Sequence, residues 1–262
     1  MLILGLYLVA GIFVGLASGL FGIGGGMIAV PALLPIFAAQ GFDADIAMHM
    51  AVGSSLAAIM FTGLSSARAH WRLGNILWDS LPWLAGGLIV GALGGAQIAA
   101  LLPGDELKFI FGLFALLLSV RMAFAGTPRP ARIALPRIVV VLVGVIIGTL
   151  SALVGIGGGT MTVPFLVWTG VAMREAVGTS AAAGVCIAIA GTLGFVLAGS
   201  GGAELPAWST GYIYWPAVGG ITLASVFLAP YGARLASRLP AIVLRRAFAV
   251  FLVFVGLQLL FN

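Results

Sequence analysis

The sequence predicts an all-α polytopic membrane protein: two inverted-topology repeats of about five hydrophobic segments each, with Gly-broken half-helices or re-entrant segments near the midplane. Three observations carry this. The 262-residue chain is 62% hydrophobic and only 7% charged, with a mean hydropathy of +1.22, whereas a soluble domain carries about 25% charged residues. Apolar runs of helical patterning, long enough to cross a roughly 30 Å hydrocarbon core, recur along its whole length. Finally, Gly22-Ile23-Gly24-Gly25-Gly26 returns as Gly155-Ile156-Gly157-Gly158-Gly159, and Val-Pro follows each copy.

The elements follow in order. The run over 1–21 lacks the basic region and cleavage site of a signal peptide, so it is expected to stay in the mature protein. It ends at the first glycine cluster, because each glycine costs about 1 kcal/mol relative to alanine inside a helix. A short segment, 25–40, leads through Val30-Pro31 to 45–66, which begins beside Asp43 and Asp45 and carries Gly53-Ser54-Ser55. The segment 76–102 closes at Leu102-Pro103, and 107–124 ends on the basic residue Arg121. In the second half, 135–154 runs into the second glycine cluster and 158–171 is its short follower. The segment 175–199 carries Gly178-Thr179-Ser180, 211–237 ends before Leu239-Pro240, and 241–261 is the last.

The two halves read as copies. Ala51-Val52-Gly53-Ser54-Ser55 matches Ala176-Val177-Gly178-Thr179-Ser180, the Gly95 to Pro103 stretch matches Gly232 to Pro240, and Trp78 falls opposite Trp215. The offsets are 133 at the glycine clusters, 125 at the hydroxyl motif and 137 at the later landmarks, which marks a short deletion and a longer insertion. This divides the chain into a repeat over 1–126, a cytoplasmic linker over 127–134 and a repeat over 135–262.

Loop charges set the orientation. Basic residues gather at Arg68 and Arg72, at Arg121, Arg129, Arg132 and Arg137, and at Arg234, Arg238, Arg245 and Arg246. Five segments per half bring all three groups to one face, which the positive-inside rule makes cytoplasmic, while Asp43, Asp45, Asp105, Glu106 and Glu204 fall on the other. An odd number per half makes the repeats inverted and puts both termini outside. The net charge of +5 is therefore read as membrane orientation and not as nucleic-acid binding.

Two inverted repeats with Gly-interrupted short segments are the arrangement in which secondary transporters build a midplane site. The candidate substrate-binding groups are the half-helix starts, Gly24, Gly25, Gly26 and Met27 in the first copy and Gly157, Gly158, Gly159 and Thr160 in the second. Their amides lack helical acceptors and favour an anion. The bland alternative is that these glycines only let helices pack closely. Ser54 and Ser55, with Thr179 and Ser180, are candidate hydroxyl donors, or else bond to backbone carbonyls. Ser18, Thr149 and Ser151 rank below them. His49 is the candidate proton carrier; a structural role is its alternative.

Other chemistries are excluded by what the chain lacks. No Asp, Glu, Lys or Arg sits mid-segment, which disfavours a buried carboxylate relay. No zinc-hydrolase or intramembrane-protease pattern is present, so the chain reads as not an enzyme, with no metal and no cofactor. The Gly22 to Gly26 stretch lacks the βαβ context of a dinucleotide fold. Cys186 stands alone and reads as a core residue. Trp71, Trp78, Trp83, Trp208, Trp215 and Tyr212 read as interfacial anchors.

Gly19-Leu20-Phe21-Gly22-Ile23-Gly24-Gly25-Gly26 with Val30-Pro31, its repeat from Val154 to Gly159 with Val163-Pro164, and the Val-Gly-Ser/Thr-Ser element resemble the TauE/SafE sulfite exporter family of bacterial inner-membrane permeases. The resemblance covers nearly the whole chain. It implies transport of a small sulfur-containing anion such as sulfite or a sulfonate, often outward from the cytoplasm. It also implies about eight transmembrane helices, which ten segments match when some are half-spans. The expected partners are thus a small anion and the lipid bilayer, with a homo-oligomer left open. Export by alternating access is the leading reading; uptake of such an anion and an anion channel are the alternatives.

Overall fold

A computed structural model describes residues 2–21, 24–124, 133, 135–201, 205–236 and 241–261. Gly22 and Ile23, the linker over 127–134 apart from Ile133, Arg129, Arg132, Glu204, Arg238, Leu239-Pro240 and Asn262 lie outside the described residues.

The described chain forms ten α-helices: α1 Leu2–Phe21, α2 Gly26–Ala39, α3 Ala44–Arg72, α4 Leu81–Leu101, α5 Gly104–Phe124, α6 Arg137–Val154, α7 Gly159–Trp168, α8 Met173–Ala198, α9 Trp215–Ala236 and α10 Ala241–Phe261. Five of them, α1, α3, α4, α6 and α8, are long and apolar enough to span a membrane, and α2 and α7 are shorter apolar helices. Large apolar side chains such as Phe13, Val90, Phe227 and Phe254 are exposed on the outside of the bundle, where lipid tails are the natural solvent.

Two boundaries depart from the sequence reading. α3 continues to Arg72, where Gly74, at φ 68, lets the Gly74 and Asn75 amides fold back onto the Trp71 and His70 carbonyls. α4 therefore starts late, after Ser80, with a proline in its first turn where the missing N–H costs nothing. In the second half, the residues expected to open a helix instead form a short hairpin, β1 Ser209–Thr210 with β2 Ile213–Tyr214, turning through Gly211 at φ 55.

Small residues decide which helices touch. α4 lies on α6, and α1 on α9. A Cβ on Gly91 would collide with the Val145 carbonyl, and one on Gly148 with that of Leu88. Gly11 and Gly15 likewise face the carbonyls of Ile221 and Ser225, each 2.7 Å from where a Cβ would sit. Without a hydrophobic force between helices in lipid, close backbone approach of this kind supplies the packing energy. The contacts recur at the sequence offsets: Gly11 on Ile221 maps to Gly144 on Leu84, and Gly15 on Ser225 maps to Gly148 on Leu88.

α3 and α8 pack on each other in the interior, with α2 against α3 and α7 against α8, while α5 pairs with α10. Trp71, Trp78, Trp83, Trp208 and Trp215 are exposed. Arg137 sits 4.9 Å over the Trp83 ring. Tyr212 departs from the anchor reading, because it turns inward and stacks on His49 at 5.1 Å.

Candidate functional site

Glycine conformation positions the two short helices. Gly25 at φ 78 and Gly158 at φ 72 cap α2 and α7 from the left-handed region, which a side chain would strain. The Gly25 carbonyl accepts from Ile28 and Ala29, each at 3.0 Å, and the Gly158 carbonyl accepts from Met161 at 3.1 Å and Thr162 at 2.8 Å. The amides before these, Gly26 and Met27 in the first half and Thr160 in the second, sit in the first turn, where a helix offers no acceptor. One difference between the halves is that Gly159 donates back to the Gly157 carbonyl at 2.9 Å. Pro31 and Pro164 lie within α2 and α7, so the carbonyls of Met27 and Thr160 lose their helical donors.

The two glycine clusters meet. A Cβ on Gly24 would lie 3.6 Å from the Gly157 Cα, and one on Gly26 would strike the Gly155 carbonyl. Between them is a cavity of about 40 Å³, lined by Ser18, Gly24, Gly157, Gly159 and Ser180 and bounded by Ile59, Thr62 and Gly184. That volume holds a few water-sized groups.

The four candidate hydroxyls are placed differently. Ser55 Oγ donates to the Gly155 carbonyl at 3.0 Å, tying α3 to the second glycine cluster. Ser54 Oγ accepts from the Tyr214 amide at 2.9 Å, and Thr179 Oγ1 accepts from the Leu77 amide at 2.9 Å. These are equivalent contacts, since Leu77 and Tyr214 are separated by the offset of 137. Ser180 is 2% exposed, lines the cavity, and its Oγ has no hydrogen-bond partner within the protein. Thr160, Thr162 and Ser151 are also buried, with hydroxyls lacking a partner in the protein. A buried, unpaired polar atom costs about 1–3 kcal/mol, so one facing a cavity invites a ligand.

His49 is held by backbone. Its Nδ1 lies 2.9 Å from the Asp45 carbonyl and its Nε2 3.0 Å from those of Ala99 and Leu102, so it clips α3 to the end of α4. Thr149 donates to the Gly91 carbonyl at 3.1 Å and Gln97 to that of Gly194 at 3.0 Å, both tying neighbouring helices together. Among the described residues, no three metal-ligating side chains gather.

Sequence reasoning overlooked Ile59, Thr62 and Ser66 in α3. They follow Ser55 at helical spacing, four, seven and eleven residues on, and that stripe was the available signal. Thr162 was overlooked as well, one turn beyond the Gly158 cap.

The model of the sulfite exporter TauE/SafE family matches residues 7–259. A probable membrane transporter protein of Haemophilus influenzae is 34% identical over 255 residues, covering 97% of both chains. One from Bacillus subtilis is 26% identical over 256 residues, covering 94% of this chain and 96% of its own. A third, from the archaeon Methanocaldococcus jannaschii, is 29% identical over 77% of this chain and 76% of its own. No solved structure matches.

Proposed function

This chain belongs to the TauE/SafE sulfite exporter family, and from that premise we propose that it is a secondary transporter exporting a small sulfur-containing anion, a sulfite or sulfonate, by alternating access. The coarser conclusion, a multi-pass membrane transporter, follows from the family, the relatives and the apolar helices. The anion reading rests most directly on Ser180, a residue lining a cavity walled by both glycine clusters, whose buried hydroxyl has no partner within the protein. The first-turn amides beside it supply positive potential without a fixed cation, which suits an anion that must also leave.

In this reading the halves over 1–126 and 135–262 are inverted repeats joined by the linker. The recurring contacts of α1 on α9 and α6 on α4 support it, as does the pairing of Ser54 with Tyr214 and Thr179 with Leu77. The glycine breaks between α1 and α2 and between α6 and α7 then approach each other from opposite faces. The membrane is the bacterial inner membrane, with both termini outside. Export needs no coupled ion there, because moving one negative charge outward across about 100 mV, inside negative, gains about 2.3 kcal/mol.

Flux of labelled sulfite and a sulfonate in proteoliposomes, with the potential set to either sign, tests this. Saturable flux that speeds when the cytoplasmic side is negative is expected. Saturable inward movement against that potential would replace export by uptake, and linear high conductance would mean a channel. Absence of flux with every anion would end the transporter assignment for this class of solute.

A further inference from the structure

The halves differ in length where α2 leads to α3. The offset falls from 133 at the glycine clusters to 125 at the hydroxyl motif, so the first half carries eight residues more between those landmarks. The second half also has the shorter half-helix, ten residues in α7 against fourteen in α2. Around this extra length stands an aromatic cluster. Phe37 stacks on Phe42 at 4.9 Å, and Tyr214 meets both edge-on at 5.8 Å and 5.2 Å. Tyr7 adds its ring at 6.5 Å from Phe37 and 6.4 Å from Tyr214. Gln40 joins the two tyrosines, donating to the Tyr7 hydroxyl and accepting from that of Tyr214 at 3.4 Å.

The cluster gathers α1, the end of α2, the loop before α3 and the strand before α9. Tyr7 and Phe37 are 1% and 0% exposed, while Gln40, Phe42 and Tyr214 are half-buried at the outer side of the cluster. It is also tied to the candidate site's own helix, because Ser54 of α3 holds the Tyr214 amide.

The equivalent place in the other half is open. Offsets of 133 and 137 map Tyr7 to Val140 and Tyr214 to Leu77. Both of these smaller residues line a cleft of about 370 Å³, with Leu84, Phe165, Asp79 and Glu175 among its other walls.

We propose that Tyr7, Gln40 and Tyr214, packed by Phe37 and Phe42, form the gate that closes the anion path at the N-terminal face, and that the cleft beside Leu77 and Val140 is the vestibule of the opposite face. The proposal rests on the carrier reading above, and its physics is specific. Opening the N-terminal face requires the Gln40 bridge to break and β2 to part from Tyr7. The other face has no such latch, so the two openings have unequal costs, and the resting population favours the face without the plug.

Cysteine accessibility tests the gate without requiring transport. In a Cys186→Ser background, Ser18→Cys puts a thiol on the central cavity, and a membrane-impermeant maleimide is applied to oriented vesicles from one face at a time. Adding Gln40→Ala is expected to raise labelling from the N-terminal face roughly fivefold or more, the scale of one lost hydrogen bond, and to leave the opposite face unchanged. Tyr7→Phe, which keeps the ring and removes the hydroxyl, should act in the same direction if Gln40→Ala fails to accumulate. Unchanged labelling from the N-terminal face, or an equal rise from both faces, would overturn the gate. Altered labelling together with no anion flux in the wild-type protein would leave the gate standing and remove the carrier reading; normal wild-type flux with unaltered labelling would do the reverse.

Discussion

Ser55 and Ser180 hold equivalent positions 125 residues apart, and their surroundings set them apart. Ser55 is fully buried and donates to the Gly155 carbonyl, whereas Ser180 lines the cavity and its hydroxyl has no partner within the protein. Ser55→Ala should therefore lower stability by about 1 kcal/mol, read as a fall in the melting midpoint of the purified protein. Ser180→Ala removes an unpaired buried hydroxyl and should leave that midpoint unchanged or higher. It should cut sulfite or sulfonate flux about tenfold or more, because a hydrogen bond to an ion is worth about 1.5–3 kcal/mol. Equal flux in wild type and Ser180→Ala would remove Ser180 from the site. His49, singled out as a candidate proton carrier, has both ring nitrogens against backbone carbonyls and its ring on Tyr212, contacts that join α3 to the end of α4.

Among the elements, the pairing of α4 with α6 has the sharpest steric signature. Gly87 and Gly91 of α4 press on the carbonyls of Val141 and Val145, while Gly86 and Gly94 of the same helix have nothing within 4 Å of a would-be Cβ. Gly91→Ala should thus destabilise by about 1–3 kcal/mol through overpacking. Gly94→Ala should stay within about 0.5 kcal/mol of wild type. Thermal unfolding in detergent compares the two; equal midpoints would mean that the close approach contributes nothing. The short helices α2 and α7 follow a different rule. Each starts at a left-handed glycine, and α2 contains Pro31 and Pro35 while α7 contains Pro164, so each exposes amides at its start and a carbonyl one turn later. Their ends differ, because α2 runs on into the aromatic cluster and α7 stops at Trp168.

For the whole molecule, the sequence reading of an odd number of segments per half, with the basic residues on one face, predicts a placement in the membrane that fusions can test. A reporter fused after Asn262 should be active only where it functions outside the cytoplasm, and a fusion within 127–134 only where it functions inside. The opposite pattern would invert the assignment and with it the face on which the proposed gate lies. The pairings α1 with α9, α4 with α6, and α3 with α8 leave α5 and α10 packed on each other. Movement of one hairpin against its neighbours then has to slide along glycine-lined contacts, where small relative shifts change many close approaches at once.

Composition and hydropathy patterning were enough to determine a helical membrane bundle and its ten segments, because these depend on local patterning, and the glycine and hydroxyl motifs carried the resemblance to the family. They also pointed to the glycine breaks, since four glycines in five positions oppose a continuous helix wherever they occur. What they left open was which hydroxyls were engaged. Ser54, Ser55, Thr179 and Ser180 look alike in sequence, and only residues about 100 or more positions away, Tyr214, Gly155 and Leu77, separate three of them from the fourth. The aromatic cluster was equally hidden: Tyr7, Gln40 and Tyr214 carry no local signal and become a unit only when α1, α2 and β2 converge. Periodicity fixes which way a side chain points from its own helix, but the identity of its neighbour is set by packing between helices, and that is where the latch and the unpaired Ser180 arise.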